Sequence, residues 1–197
     1  MKKLSRQDLF GLEAYAEARP AFRQQVIEHK KMRQIALGPN ATLYFEDRLT
    51  IQYQVQEMLR VERIFERSAI DEEIEAYNPL IPDGANWKAT FMLEYPDVEE
   101  RHVALGKLGG VEHNVWAQVE GCARTTAIAN EDLERTNDHK TAAVHFLRFE
   151  LDAASIRGLK AGAALNMGID HPAMTCSMEV PEANRNSLLQ DLTDGDA

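Results

Sequence analysis

The sequence predicts an α+β protein, with a mainly helical N-terminal part packed on a mostly antiparallel sheet formed largely by the C-terminal part. Three observations carry that prediction. Roughly the first eighty residues read as mainly helical, most strongly at 47–67, where apolar positions recur at spacings near three, four and seven, the period of a helix stripe. From residue 87 onward they alternate, the period of a strand. Between the two lies "NPLIPDGAN" (78–86), a connection rich in Pro, Gly and Asn.

The elements follow in order. Ser5 with Asp8 three residues on has the form of a capping box, and a short helix is expected to run to Arg19. Pro20 suits the first turn of a second helix, "PAFRQQVIEHKKMRQI", with Phe22, Val26 and Met32 on its buried side. "LGPN" (37–40) stops it, and "ATLYFE" (41–46) reads as a short strand. The strongest helical segment is "DRLTIQYQVQEMLRVERIFER" (47–67), where Ile51, Val55, Met58, Leu59 and Phe65 fall along one stripe. "AIDEEIEAY" (69–77) forms another helix at once.

"WKATFMLEY" (87–95) alternates as a strand, and "DVEERHVALGKL" (97–108) is a helix ended by Gly109 and Gly110. "HNVWAQVE" (113–120) and "CARTTAI" (122–128) form a hairpin about Gly121. Residues 129–142 are polar and in part helical, and "AVHFLRFEL" (143–151) places His145, Leu147, Phe149 and Leu151 on one strand face. "AALNMGIDH" and "MTCSMEV" alternate through Leu165, Met167, Ile169 and His171, and through Met174, Cys176, Met178 and Val180; a Pro-containing turn joins them. A last helix begins at Pro181 and gives way to an acidic tail expected to be disordered. The chain reads as a single domain over 1–197: a helix-rich segment (1–80), a sheet-rich segment (87–192) and the tail (193–197).

Composition excludes several classes. A net charge of −10 and a pI near 5.1 oppose nonspecific binding to nucleic acid or to an anionic membrane. Lys30, Lys31 and Arg33 form the best basic patch and are expected on a solvated helix face. The N-terminus is basic, yet Arg6, Gln7, Asp8 and Glu13 interrupt any apolar core of a signal peptide. No run approaches the roughly 18 apolar residues of a membrane span, so the cytoplasm is the expected address. Cys122 and Cys176 are too few for a Cys₄ zinc or iron–sulfur site within one chain.

Two segments stand out as candidate sites. In "GIDHPAM" (168–174), Asp170 and His171 sit beside Pro172. In extended chain they point to opposite faces, so spacing alone does not make them a dyad; a turn uses all three residues and needs no substrate. A His at a strand end beside an acid is nevertheless the best single site candidate, and a metal site there would draw His145 and His113 to His171, with iron or zinc as the ion. The second segment is "YQVQEMLRVER" (53–63), rich in long polar side chains. Glu57 and Arg60 lie one turn apart and form an intrahelical pair on a solvated face, or else Arg60 and Arg63 dock a partner or an anion, the latter with Arg48. No dinucleotide, Walker or nucleophile-elbow motif occurs.

The chain resembles an uncharacterised bacterial family, the domain of unknown function numbered 3501. The resemblance rests on "SRQDL", "ARP", "ALGP", "TLYFEDRLT", "YQVQEMLRVER", "ATFMLE", "HFLRF" and "GIDHP", pieces that span nearly the whole sequence. The family has no established reaction, so no catalytic residue carries over. Its genes stand near those of rubrerythrin-like proteins and of iron–sulfur proteins similar to heterodisulfide reductase subunits. The resemblance therefore implies a cytoplasmic role in redox metabolism or oxidative-stress defence, as a non-catalytic accessory or binding protein for an iron–sulfur or rubrerythrin-like partner. A metal-binding enzyme centred on His171 is the alternative expectation.

Overall fold

A computed structural model describes residues 2–131, 135 and 140–193. Within them the chain runs α1 (Leu12–Lys31), β1 (Gln34–Ala36), β2 (Ala41–Glu46), α2 (Arg48–Val61), α3 (Arg67–Tyr77), β3 (Asn86–Leu93), α4 (Val98–Lys107), β4 (Val115–Val119), β5 (Arg124–Thr126), β6 (Ile128–Ala129), β7 (Val144–Glu150), α5 (Ala153–Lys160), β8 (Leu165–His171), β9 (Met174–Glu179) and α6 (Glu182–Leu189). The class is α+β, as the two periodicities require. Half of the expected part-helix at 129–142 lies outside the described residues, as does the acidic tail from residue 194.

The strands form two antiparallel sheets, ordered β1-β2-β3-β7-β6 and β5-β4-β8-β9. Their inner faces share one core. Leu43 and Phe45 of β2, Trp87 and Phe91 of β3, and Leu147 and Phe149 of β7 meet Val115 and Val119 of β4 and Leu165, Met167 and Ile169 of β8 in one cluster. The alternation along β3 and β7 is what aims these side chains inward, because a period of two sends every second residue to the same face. β2 pairs with β3 through six residues, Ala41↔Leu93 to Glu46↔Lys88, so the helix-rich N-terminal part supplies a strand deep within the larger sheet.

The helices at the N-terminal end keep two smaller clusters. Ile51, Val55 and Leu59 of α2 pack with Ile74 of α3, Ile81 and Leu4. Tyr15, Phe22 and Val26 of α1 gather Leu49 and Tyr53 from α2. Phe10 closes that cluster with its ring centroid 5.7 Å from Phe22's.

Four expectations need correction. α1 is one helix that passes through Pro20 instead of two that meet there. It ends at Lys31, and Met32 is exposed while Tyr15 takes the buried place. The helix expected over 47–67 ends at Val61, because Arg63 adopts φ 56° and turns the chain; Phe65 is thereby 57% exposed and off the buried stripe. Arg33 leaves the helix face and is 1% exposed. α5 has no counterpart in the sequence reading, although Asp152 caps it by accepting from the Ser155 N–H at 2.7 Å.

Candidate functional site

The polar residues of α2 have tertiary work to do. Gln52 Nε2 donates to the Asp8 carbonyl at 2.6 Å, and Gln56 Oε1 accepts from the Phe10 N–H at 2.5 Å. These two amides hold the N-terminal segment against α2. Glu57 accepts a bidentate pair from Arg19 at 2.8 Å, a second from Arg60 at 3.1–3.2 Å, and the Tyr15 hydroxyl at 2.7 Å. Those hydrogen bonds, Arg19's first, hold its carboxyl well below the usual range, while burial pushes the Tyr15 phenol up. One carboxylate thus serves two guanidinium groups, which leaves the cluster with an excess of positive charge.

Beyond α2 the chain reverses through a Schellman-type end. The Ile64 N–H reaches back to the Leu59 carbonyl at 3.0 Å, with Arg63 in the left-handed position between them. That turn throws Ile64 and Phe65 over the N-terminal segment. The result is a groove lined by Phe10, Leu12, Leu59, Ile64, Phe65 and Ile70, with Arg6, Arg60 and Arg67 among its walls and no carboxylate in its lining. Its apolar residues are poorly covered: Phe65 is 57%, Leu12 52% and Phe10 39% exposed. Arg6 is paired with Asp71 at 2.9 Å. Arg48 stands at the far end of α2, where it pairs with Asp8 at 2.5 Å, so it does not converge with Arg60 and Arg63 on one anion.

"GIDHPAM" is the β8–β9 hairpin turn, with His171 paired across it to Met174. Each of its polar or special residues has a local task. The His171 Nε2–H donates to the Gly109 carbonyl at 3.1 Å, and Nδ1 accepts from the Ala173 N–H at 3.2 Å. Both ring nitrogens are therefore spent on backbone, in the neutral Nε2–H form. Asp170 pairs with Arg124, whose guanidinium lies 3.7 Å over the Trp116 ring. Gly168 leaves room for that ring, since a Cβ there would come within 2.5 Å of it.

His145 and His113 lie elsewhere, on either side of Glu112, each 3.9 Å from its Oε1. His145 is fully buried, with Nε2 2.9 Å from the Thr141 hydroxyl and 3.0 Å from the Ala142 carbonyl; burial pushes its pKa down, so the ring is neutral. Among the described residues no three His, Cys, Asp or Glu side chains gather in a set that could hold a metal ion. His171 is not brought together with His145 and His113.

Sequence reading missed one cluster entirely. Arg33 and Asp191, each 1% exposed, pair directly although 158 positions apart, and Asp47 lies 3.5 Å from Arg33 while receiving His29 at 2.5 Å. No local spacing signals such a pair. It joins the end of α1, the start of α2 and the segment after α6.

Among the described residues, no helix is long and apolar enough to cross a membrane. A search of curated proteins finds no match. The chain is similar over 98% of its length, at 46% identity and a TM-score of 0.92, to the whole of a chain described as a novel protein of unknown function from Burkholderia pseudomallei K96243, solved by crystallography at 1.90 Å. Residues 3–192 match the family described as "Protein of unknown function (DUF3501)", and the chain belongs to that family.

Proposed function

We propose that the chain is a non-catalytic accessory protein of redox or oxidative-stress metabolism that holds a partner protein in the groove between its N-terminal segment and the α2–α3 corner. The composition of the groove carries this reading: half-exposed aromatic and aliphatic side chains, three arginines, and no carboxylate in the lining. Each large apolar side chain left in water forgoes roughly 1.5–3 kcal/mol of burial, which a docked partner would recover. Aromatic and arginine side chains set together are the usual anchors of protein interfaces. In a chain of net charge −10 this lining is locally basic, so the complementary surface is an apolar anchor flanked by acidic residues.

An iron–sulfur or rubrerythrin-like protein is the partner class, on the strength of the gene neighbourhood of the family. A metal-binding enzyme around His171 has no comparable support, since both of its ring nitrogens are engaged by backbone. The test is a binding titration against each of those two protein classes, taken from the same genome as this chain. We expect one of them to bind, and Phe65→Asp or Arg67→Glu to weaken binding by about tenfold or more with an unchanged melting curve. No binding by either class, or binding untouched by both substitutions, would overturn the proposal.

A further inference from the structure

A second cavity, on the outer face of the larger sheet, carries a separate inference. The end of α3 and the turn after it overhang β3 and β7 and enclose a cleft of about 460 Å³. Its apolar walls come from Ala76, Tyr77, Pro79, Leu80 and Phe146, and its polar groups are Glu73, Lys88, Glu131 and Arg148. The volume lies within the roughly 300–1,000 Å³ of ordinary small-molecule sites, and the mix of apolar wall and few polar groups is theirs too.

The charges in this cleft are unevenly matched. Lys88 on β3 stands directly across from Arg148 on one side and Glu46 on the other. Two like charges in facing positions repel one another. Arg148 is fully neutralised, by Glu131 at 2.7–2.8 Å and by Glu150. Glu46 is spent on Thr50 at 2.6 Å and Thr90 at 3.0 Å. Lys88 is left over: among the described residues its ammonium has neither a hydrogen bond nor an ion pair with any side chain or carbonyl. Burial, and then the charge of Arg148, push its pKa down against the opposing charges of Glu131 and Asp83, as expected of an ammonium partly withdrawn from water.

We infer that this cleft binds a small organic carboxylate with an apolar body, its carboxylate on the Lys88 ammonium and its body between Tyr77, Leu80 and Phe146. The ligand supplies the direct acceptor that Glu46 and Glu131, engaged with Thr50, Thr90 and Arg148, do not give Lys88. Among the described residues the carboxyl of Glu73 also has no hydrogen-bonding partner, so a hydroxyl on the ligand body would find an acceptor there.

Lysine-selective NMR of the intact chain tests this, with benzoate and 4-hydroxyphenylacetate as probes and benzyl alcohol as the neutral control. The Lys88 side-chain signal should shift saturably with either acid. Affinity should fall about tenfold or more for benzyl alcohol, for Lys88→Met and for Phe146→Ala. A Lys88 signal unmoved at saturating carboxylate would overturn the assignment. So would equal affinity for acid and alcohol, or unchanged affinity in a folded Lys88→Met protein.

Discussion

Arg63 occupies a backbone conformation that suits glycine. With φ at 56° its Cβ crowds the following carbonyl, at a cost of roughly 1–2 kcal/mol for a side chain that is not glycine. The helix end around it is otherwise well made, with Ile64 bonded back to Leu59 and both in the same apolar cluster. Arg63→Gly is therefore expected to leave the fold intact and to raise stability by about 0.5–1 kcal/mol in chemical denaturation, part of the relief being offset by the freer unfolded chain. Arg63 is not among the residues that line the groove, so under the docking proposal the same variant should bind the partner with unchanged affinity. A drop in stability would show that the guanidinium makes contacts that outweigh the strain. Part of this site was legible in the sequence: Arg60 was drawn from the unusual polarity of "YQVQEMLRVER", whereas Arg63, named with it, turns the chain and is not in the lining. Of the partners of Glu57, Arg60 was legible as the pair one turn apart, but Tyr15 and Arg19 were not, since they come from a helix 38–42 positions away. In "GIDHP", periodicity correctly suggested a turn, but the task of Gly168 depends on a tryptophan across the sheet, which no local pattern announces.

At the scale of elements, periodicity found almost every strand, because buried faces in β3, β7 and β8 enforce alternation residue by residue. What it could not give was the division into two sheets, since pairing between distant strands leaves no trace in spacing. Helix boundaries misled where a local signal was overruled by packing. Pro20 looks like a helix start, yet α1 continues through it because Tyr15 before it and Phe22 and Val26 after it are buried in one cluster. That continuity is maintained without the hydrogen bond that an N–H at position 20 would donate, and against the clash of the ring with the preceding turn. Pro20 is itself exposed, so its side chain contributes little packing. Pro20→Ala is accordingly expected to restore the bond and to stabilise the protein by about 1–3 kcal/mol, read as a higher denaturation midpoint with an unchanged slope. A neutral or destabilising result would mean that α1 needs the bend that proline imposes in order to lay its aromatic residues on α2.

Across the whole molecule, the pair Arg33–Asp191 ties the end of α1 to the segment that follows α6, and it does so in the interior. Arg33 also donates to the carbonyls of Phe45 and Glu46 at 3.1 Å, so its charge is well satisfied. Asp191 is less so: its Oδ1 is buried with no hydrogen-bonding partner. Burial pushes its pKa up to about 6, and neighbouring Asp47 adds to that rise while Arg33 opposes it. A carboxyl whose folded pKa lies above its unfolded value binds its proton more tightly when folded, so protonation favours the native state. The contribution is fully present below about pH 4, the ordinary aspartate value, and is lost as pH rises through about 6. The displacement is worth about 3 kcal/mol across that window. Other carboxylates, Glu57 and Asp152 among them, are held low and act in the opposite sense, so the wild-type profile alone is a sum. The comparison with Asp191→Asn isolates the one group, because asparagine does not titrate. From pH 7 to pH 4 the wild type should gain on that variant by up to about 3 kcal/mol in denaturant-derived stability. Parallel pH profiles would show instead that Arg33 keeps Asp191 ionised throughout. At neutral pH, Arg33→Met should cost about 3–5 kcal/mol, since it strands Asp191 in the interior, whereas Asp47 keeps His29. Adding Asp191→Leu should recover much of that loss, as expected where a buried pair fixes how two ends of a chain meet without contributing much net stability.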